Sequence, residues 1–123
     1  MLATSKAFSG FAVDDVDKAR DFYRGTLGLR TSDENGMLTL HLAGDRPTLV
    51  YPKADHEPAN YTILNFPVSD IDSAVDDLTA RGVTFERYDG LEQDERGVMR
   101  SGGPLIAWFK DPAGNVLSVL QLS

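Results

Sequence analysis

Two histidines, His41 and His56, are the residues of this 123-residue chain best suited to proton transfer near neutral pH. His56 lies between Asp55 and Glu57 in a stretch bounded by Pro52 and Pro58, and reads as a solvated loop residue. His41 belongs to an alternating run, Met37-Leu38-Thr39-Leu40-His41-Leu42, which suits a strand with one buried face. A lone histidine there cannot hold a metal, but it can donate a hydrogen bond or act as an acid or base. The simpler reading is a strand histidine bonded to a neighbour or to water. Trp108 and Phe109 are adjacent, so in a strand one faces each side, and whichever faces inward offers a flat apolar wall to a planar ligand. Both also serve as ordinary packing residues. Arg96, Met99 and Arg100 sit in or beside a long polar stretch, 89–97. An arginine at a pocket mouth pairs with an anionic group, whereas base rates favour an exposed loop of mixed charge. Asp14, Asp15 and Asp17, with Asp70 and Asp72, cluster at helix starts, where capping and the helix dipole account for them without catalysis.

The elements that position these residues come from an internal repeat. Val13-Asp14-Asp15-Val16-Asp17-Lys18-Ala19 recurs 55 residues later as Val68-Ser69-Asp70-Ile71-Asp72-Ser73-Ala74. Each copy follows a strand-like run (7–13 and 61–68). Each then continues on a helical face: Val16, Ala19 and Tyr23 in one, Ile71, Ala74 and Leu78 in the other. Gly28 and Gly82 stand where a helix ends in a left-handed residue. Strand signals follow both helices. In the first half they run from Leu29 to Thr31, across the hairpin dipeptide Asn35-Gly36, through 37–42, and on to Pro47–Tyr51. In the second half, Val83–Tyr88 predicts a strand, and 105–109 with 116–120 a hairpin across Asp111-Pro112-Ala113-Gly114-Asn115.

The resulting expectation is an α+β fold: two βαβββ modules, 5–51 and 61–121, joined by a linker over 52–60 within one domain, 1–123. Together they form a curved, cup-shaped mixed sheet with helices on the outer face. Alternation sends Leu38, Leu40, Leu42, Phe11, Val13, Leu64, Phe66 and Val68 to the helices. It leaves Phe8, Gly10, Ala12, Met37, Thr39, His41, Ile63, Asn65 and Pro67 to line the cup.

Bulk composition narrows the partners. Apolar residues make up 41% and charged ones 25%, as in an ordinary globular domain. The net charge of −7, with 19 acidic against 12 basic residues, argues against nucleic acid, keeps the protein dispersed in water and suits a cationic guest. No apolar run approaches the roughly 18 residues of a membrane span, so no membrane partner is expected. Residues Met1 to Lys6 lack the apolar stretch of a secretory signal, and there is no cysteine. A reducing cytoplasm is the expected compartment.

Two motifs carry a resemblance over nearly the whole chain: Val-x-Asp-Val-Asp-Lys-Ala-x-x-Phe-Tyr-x-x-x-Leu-Gly-Leu at Val13 through Leu29, and Phe-x-Asp-Pro-x-Gly-Asn-x-Leu-x-Val at Phe109 through Val119. With them the sequence resembles the vicinal oxygen chelate superfamily of glyoxalase, bleomycin-resistance and extradiol-dioxygenase proteins. That fold hosts lyases, dioxygenases, epimerases and drug-sequestering proteins, so the resemblance implies a fold more than a reaction. It implies metal ligands at four cup positions in the metal-dependent members. Here these positions are Phe8, Ile63, one of Thr48, Leu49 and Val50, and Ser118. None offers imidazole or carboxylate, so no metal or other cofactor is expected.

The function expected is therefore a glyoxalase/bleomycin-resistance-like protein that binds a small organic ligand, cationic or aromatic, without a metal centre. Its pocket is drawn from Phe8, Gly10, Thr39, His41, Ile63, Asn65, Trp108, Phe109 and Ser118, with Arg96, Met99 and Arg100 near the mouth. The alternative is a metal-independent lyase or isomerase using His41 with Asn65, Ser118 or a loop arginine. A metal-dependent lyase or dioxygenase ranks last. Open sheet faces and edges, and the resembling family, point to a homodimer.

Overall fold

Both helices begin in the same way, on an aspartate that follows a strand by two or three residues and caps the next turn. The computed structural model describes residues 1–122 and gives Asp15 and Asp70 near-identical backbone angles, φ −138°, ψ 107° and φ −141°, ψ 104°. The Asp15 carboxylate accepts the N–H of Lys18 at 3.1 Å, and that of Asp70 accepts the N–H of Ser73 at 3.2 Å. Backbone and hydroxyl donors from Ser73 hold the Asp70 carboxyl below its ordinary range. Each helix stops at the predicted glycine, Gly28 at φ 74° and Gly82 at φ 95°. The repeat seen in the sequence is thus a repeat of capping chemistry.

The chain divides into two compact units between Glu57 and Pro58, inside the predicted linker. The first holds β1 (Ser9–Val13), α1 (Val16–Arg20), β2 (Arg30–Glu34), β3 (Met37–Leu42) and β4 (Arg46–Pro52). Its strands lie in the order β1-β4-β3-β2, with β1 parallel to β4 and the rest antiparallel. Asn35 and Gly36 both take positive φ, the hairpin geometry their dipeptide predicts. Beyond Arg20, α1 continues over Asp21–Thr26 as a π-helical turn, which the 3.6-residue pattern did not reveal. The N–H of Leu27 reaches back five residues to the Phe22 carbonyl at 2.9 Å. Tyr23 is fully buried there, 5.7 Å from Phe11 and 5.2 Å from Phe22 between ring centres. With Val13, Ala19, Leu38, Leu40 and Val50 it makes the core of this unit.

The second unit holds β5 (Thr62–Pro67), α2 (Ile71–Ala80), β6 (Leu105–Lys110) and β7 (Val116–Gln121), in the sheet order β5-β7-β6. Ile71 and Val75 of α2 are buried, as are Ala107, Phe109, Leu117 and Val119 of the sheet. The strand predicted over Val83–Tyr88 is reduced to one antiparallel bridge, Phe85 with Phe109. The reason is a side chain. Gln93 donates to the carbonyls of Glu86 and Gly97 at 2.9 and 2.8 Å and accepts the Tyr88 N–H at 2.8 Å. One amide thereby satisfies backbone groups that a neighbouring strand would otherwise take. Asp94 fixes the following turn by accepting the N–H groups of Arg96 and Val98 and the guanidinium of Arg100. Partial burial pushes its carboxyl up, but those three donors outweigh it and hold it below the usual range.

Alternation along β3 makes a direct test. Leu38 and Leu40 are fully buried, whereas Met37 and His41 are exposed. Leu40→Ala is expected to lower the urea-measured stability by about 2–5 kcal/mol, whereas His41→Ala, one position away, changes it by less than about 0.5 kcal/mol. Equal losses from the two variants contradict this register.

Candidate functional site

Strand pairing in the second unit sets side chains in rows. Lys110 of β6 pairs with Val116 of β7, which pairs with Thr62 of β5. In the next row Trp108 pairs with Ser118 and Ser118 with Asn65. Phe109, Leu117 and Phe66 alternate to the opposite face, against α2. The rows of Trp108 and Lys110 therefore occupy the face opposite α2.

That face carries a pocket of about 410 Å³, within the range of small-molecule sites. Trp108, Lys110, Val116 and Thr62 form its floor, and Pro58 to Asn60, at the end of the predicted linker, form one wall with Tyr61. Tyr88 makes another, standing edge-on to the Trp108 ring with centres 5.6 Å apart and planes at 77°. The turn between β6 and β7 closes one end through Gly114. There the Asp111 carboxylate accepts the N–H groups of Ala113 and Asn115 at 3.0 and 2.8 Å, and the Asn115 side-chain amide at 3.1 Å. Gly114 has φ 86°, and a Cβ on it would come within 3.2 Å of Pro58. The Asp-Pro-x-Gly-Asn motif is thus a fixed turn that shapes the pocket without supplying a reacting group.

Lys110 brings the one charge in the lining. Its Nζ stands 3.5 Å from Glu86 Oε1, too long for a strong hydrogen bond. Partial burial, with the Glu86 charge adding to it and Lys110 opposing, pushes the Tyr88 phenol above its ordinary value. Tyr88 accordingly stays a neutral hydroxyl near neutral pH.

The sequence-predicted residues divide on this framework. Trp108, Ser118 and Asn65 come together in one row, and the fully buried Ser118 Oγ donates to Asn65 Oδ1 at 2.6 Å. Phe109 does not join them, because it is buried on the helix side with its ring 5.6 Å from that of Phe85. Ile63 lies at a bulge between Thr62 and Leu64, so Thr62, not Ile63, is the residue paired with Val116. Arg96 and Arg100 do not line this pocket. Arg96 forms an ion pair with Asp76 of α2 and Arg100 with Asp72 of α2 and with Asp94, while Met99 bridges Gln93 and Ile106. In the first unit, Gly10, Thr39 and His41 share with Leu49 the sheet face opposite Leu38, Leu40 and Val50, and Phe8 precedes β1 at 65% exposure. His41 Nε2 lies 2.8 Å from Ser32 Oγ. Sequence reasoning missed Tyr61, Tyr88 and Lys110. Lys110 was findable, because it stands two residues from Trp108 and so shares its face whichever way the strand turns.

A divalent-ion centre of the type seen in metal-dependent relatives does not fit these side chains. Phe8, Ile63, Leu49 and Val50 have no donor, Thr48 offers only a hydroxyl, and Ser118 spends its hydroxyl on Asn65. Among the described residues no three of His, Cys, Asp or Glu gather as a set of ligands. No helix among them is long and apolar enough to cross a membrane.

Comparison with known proteins agrees with this architecture. The chain is similar to TnmS3, an antibiotic binding protein from Streptomyces sp. CB03234, at 26% identity and a TM-score of 0.71, with 98% of each chain covered. A glyoxalase/bleomycin resistance protein/dioxygenase superfamily member from Sphaerobacter thermophilus is also 26% identical, with a TM-score of 0.70, over 95% of this chain and 98% of that one. A glyoxalase family protein from Enterococcus faecalis shares the fold at 20% identity, with a TM-score of 0.71 over 98% and 99% of the two chains. None of the curated proteins compared with the chain matches it. A sequence model of the Glyoxalase/Bleomycin resistance protein/Dioxygenase superfamily spans residues 7–119, and the chain belongs to that superfamily.

Proposed function

We propose that this protein binds a small, partly aromatic organic molecule on the uncovered face of its second unit, without a metal ion. The observation that carries this reading is the pocket of about 410 Å³ in which Trp108, Tyr88 and Tyr61 supply apolar walls around a single charged group. Flat rings confine a planar guest at little cost in side-chain entropy. TnmS3, similar over nearly its whole length, is an antibiotic binding protein, which supports sequestration as the role. No acid–base or nucleophile–base pair lines the pocket, which favours holding a molecule over transforming it.

A second reading rests on the first unit. Ser32 Oγ beside His41 Nε2 is the arrangement of a hydroxyl and a general base, on an uncovered sheet face with Arg30 paired opposite His41. It would make the protein a metal-independent enzyme. The family's open sheets also support a homodimer, since β1 and β2 edge one sheet and β5 and β6 the other.

Four outcomes are expected. Trp108 is the only tryptophan, so titrating the protein with a panel of aromatic compounds should shift its emission saturably. Tyr88→Ala should weaken that binding by about fivefold, a loss of one edge-on aromatic contact. Silence across a diverse panel removes the binding reading. If turnover of any panel compound is found, His41→Ala should lower kcat by at least about a hundredfold under the second reading, and unchanged turnover eliminates it. Light scattering at micromolar concentration should give twice the mass of one chain, whereas a monomer at all concentrations refutes the dimer.

A further inference from the structure

We infer that the pocket of the second unit selects aromatic acids: a planar ring laid on the Trp108 indole beside Tyr88, with a carboxylate or similar anionic group set on Lys110. The inference rests on the binding reading above and adds the charge of the guest.

Lys110 and Trp108 alternate on the same face of β6, two residues apart, so a ring lying on the indole brings its substituent to the ammonium. No carboxylate lines the pocket. The neighbouring carboxylate, Glu86, stands 3.5 Å from Nζ, and the lysine side chain is 46% exposed. An ion pair this long and this wet is weak, so an incoming anion at hydrogen-bond distance competes with it successfully. Tyr88 adds a neutral hydroxyl, not a second charge, to the same wall.

The whole-chain charge of −7 points the other way, toward a cation. It acts over distances at which salt screens it, with a Debye length of about 8 Å at physiological ionic strength, whereas the ammonium acts in contact. The aromatic faces attract cations too, but a guest cation seated on Trp108 would lie beside another cation. Contact charge decides the preference, and net charge governs only the approach.

The test is calorimetric titration with three compounds of one ring system: naphthoate, naphthylmethanol and naphthylmethylammonium. The carboxylate should bind about tenfold more tightly than the ammonium, with the alcohol between them, as expected from adding and opposing a half-exposed ion pair. In Lys110→Met the three should converge to within about twofold, and Glu86→Gln should tighten the carboxylate. Raising the salt concentration should narrow the wild-type spread. An ammonium that binds as tightly as the carboxylate, or a carboxylate preference that survives in Lys110→Met, overturns the charge assignment and leaves the pocket standing. If none of the three binds, the pocket reading falls and this inference falls with it.

Discussion

One helix covers one face of each sheet, and that one-sidedness governs everything else in the protein. A strand alternates its side chains, so a single helix consumes every second residue and leaves the others in want of a partner. Leu38, Leu40 and Val50 in the first unit, with Ala107, Phe109, Leu117 and Val119 in the second, are the consumed set. They are apolar and buried because they pack against α1 and α2. What remains on the far face is free of the core's demand for close packing, and there the chain places Trp108, Lys110, His41 and Asn65. Sites on such faces are held by a rigid ladder, which suits a binding surface.

Electrostatics follows the same division. Acidic residues concentrate at the helix starts and along α2, where Asp72 and Asp76 engage Arg100 and Arg96 and so fasten the 89–104 segment to the helix. The arginines that chemistry would place at a pocket mouth are thereby occupied elsewhere. Charge in the pocket comes instead from a strand lysine whose orientation is set by register. Position in the ladder, more than charge in the sequence, decides which cation can meet a ligand.

Much of this was legible beforehand, and for identifiable reasons. Asp15 and Asp70, Gly28 and Gly82, and Asn35-Gly36 encode caps and turns that depend on neighbours along the chain, so sequence alone predicts them correctly. The β3 alternation placed Leu38, Leu40 and His41 on their faces. What was missed depends on partners distant in sequence or on a single inserted residue. Gln93 replaces a strand for Glu86 and Tyr88, which no periodicity announces. The bulge at Ile63 hands its expected place to Thr62, because one extra residue breaks a period of two. Trp108 and Phe109 were symmetric by alternation until the pairing of Phe85 with Phe109 fixed the strand. Pro58 to Asn60 read as linker because their composition is that of a loop, yet their burden is to wall a pocket.

The central claim is that the uncovered face of the second unit holds a small molecule against Trp108. A crystal structure of the protein soaked with an aromatic acid measures it most directly. The account requires ring density packed on the Trp108 indole beside Tyr88, with the acid group within hydrogen-bond distance of Lys110 Nζ. Ligand density elsewhere, with this pocket empty, or an indole turned to the α2 side of the sheet, would contradict it.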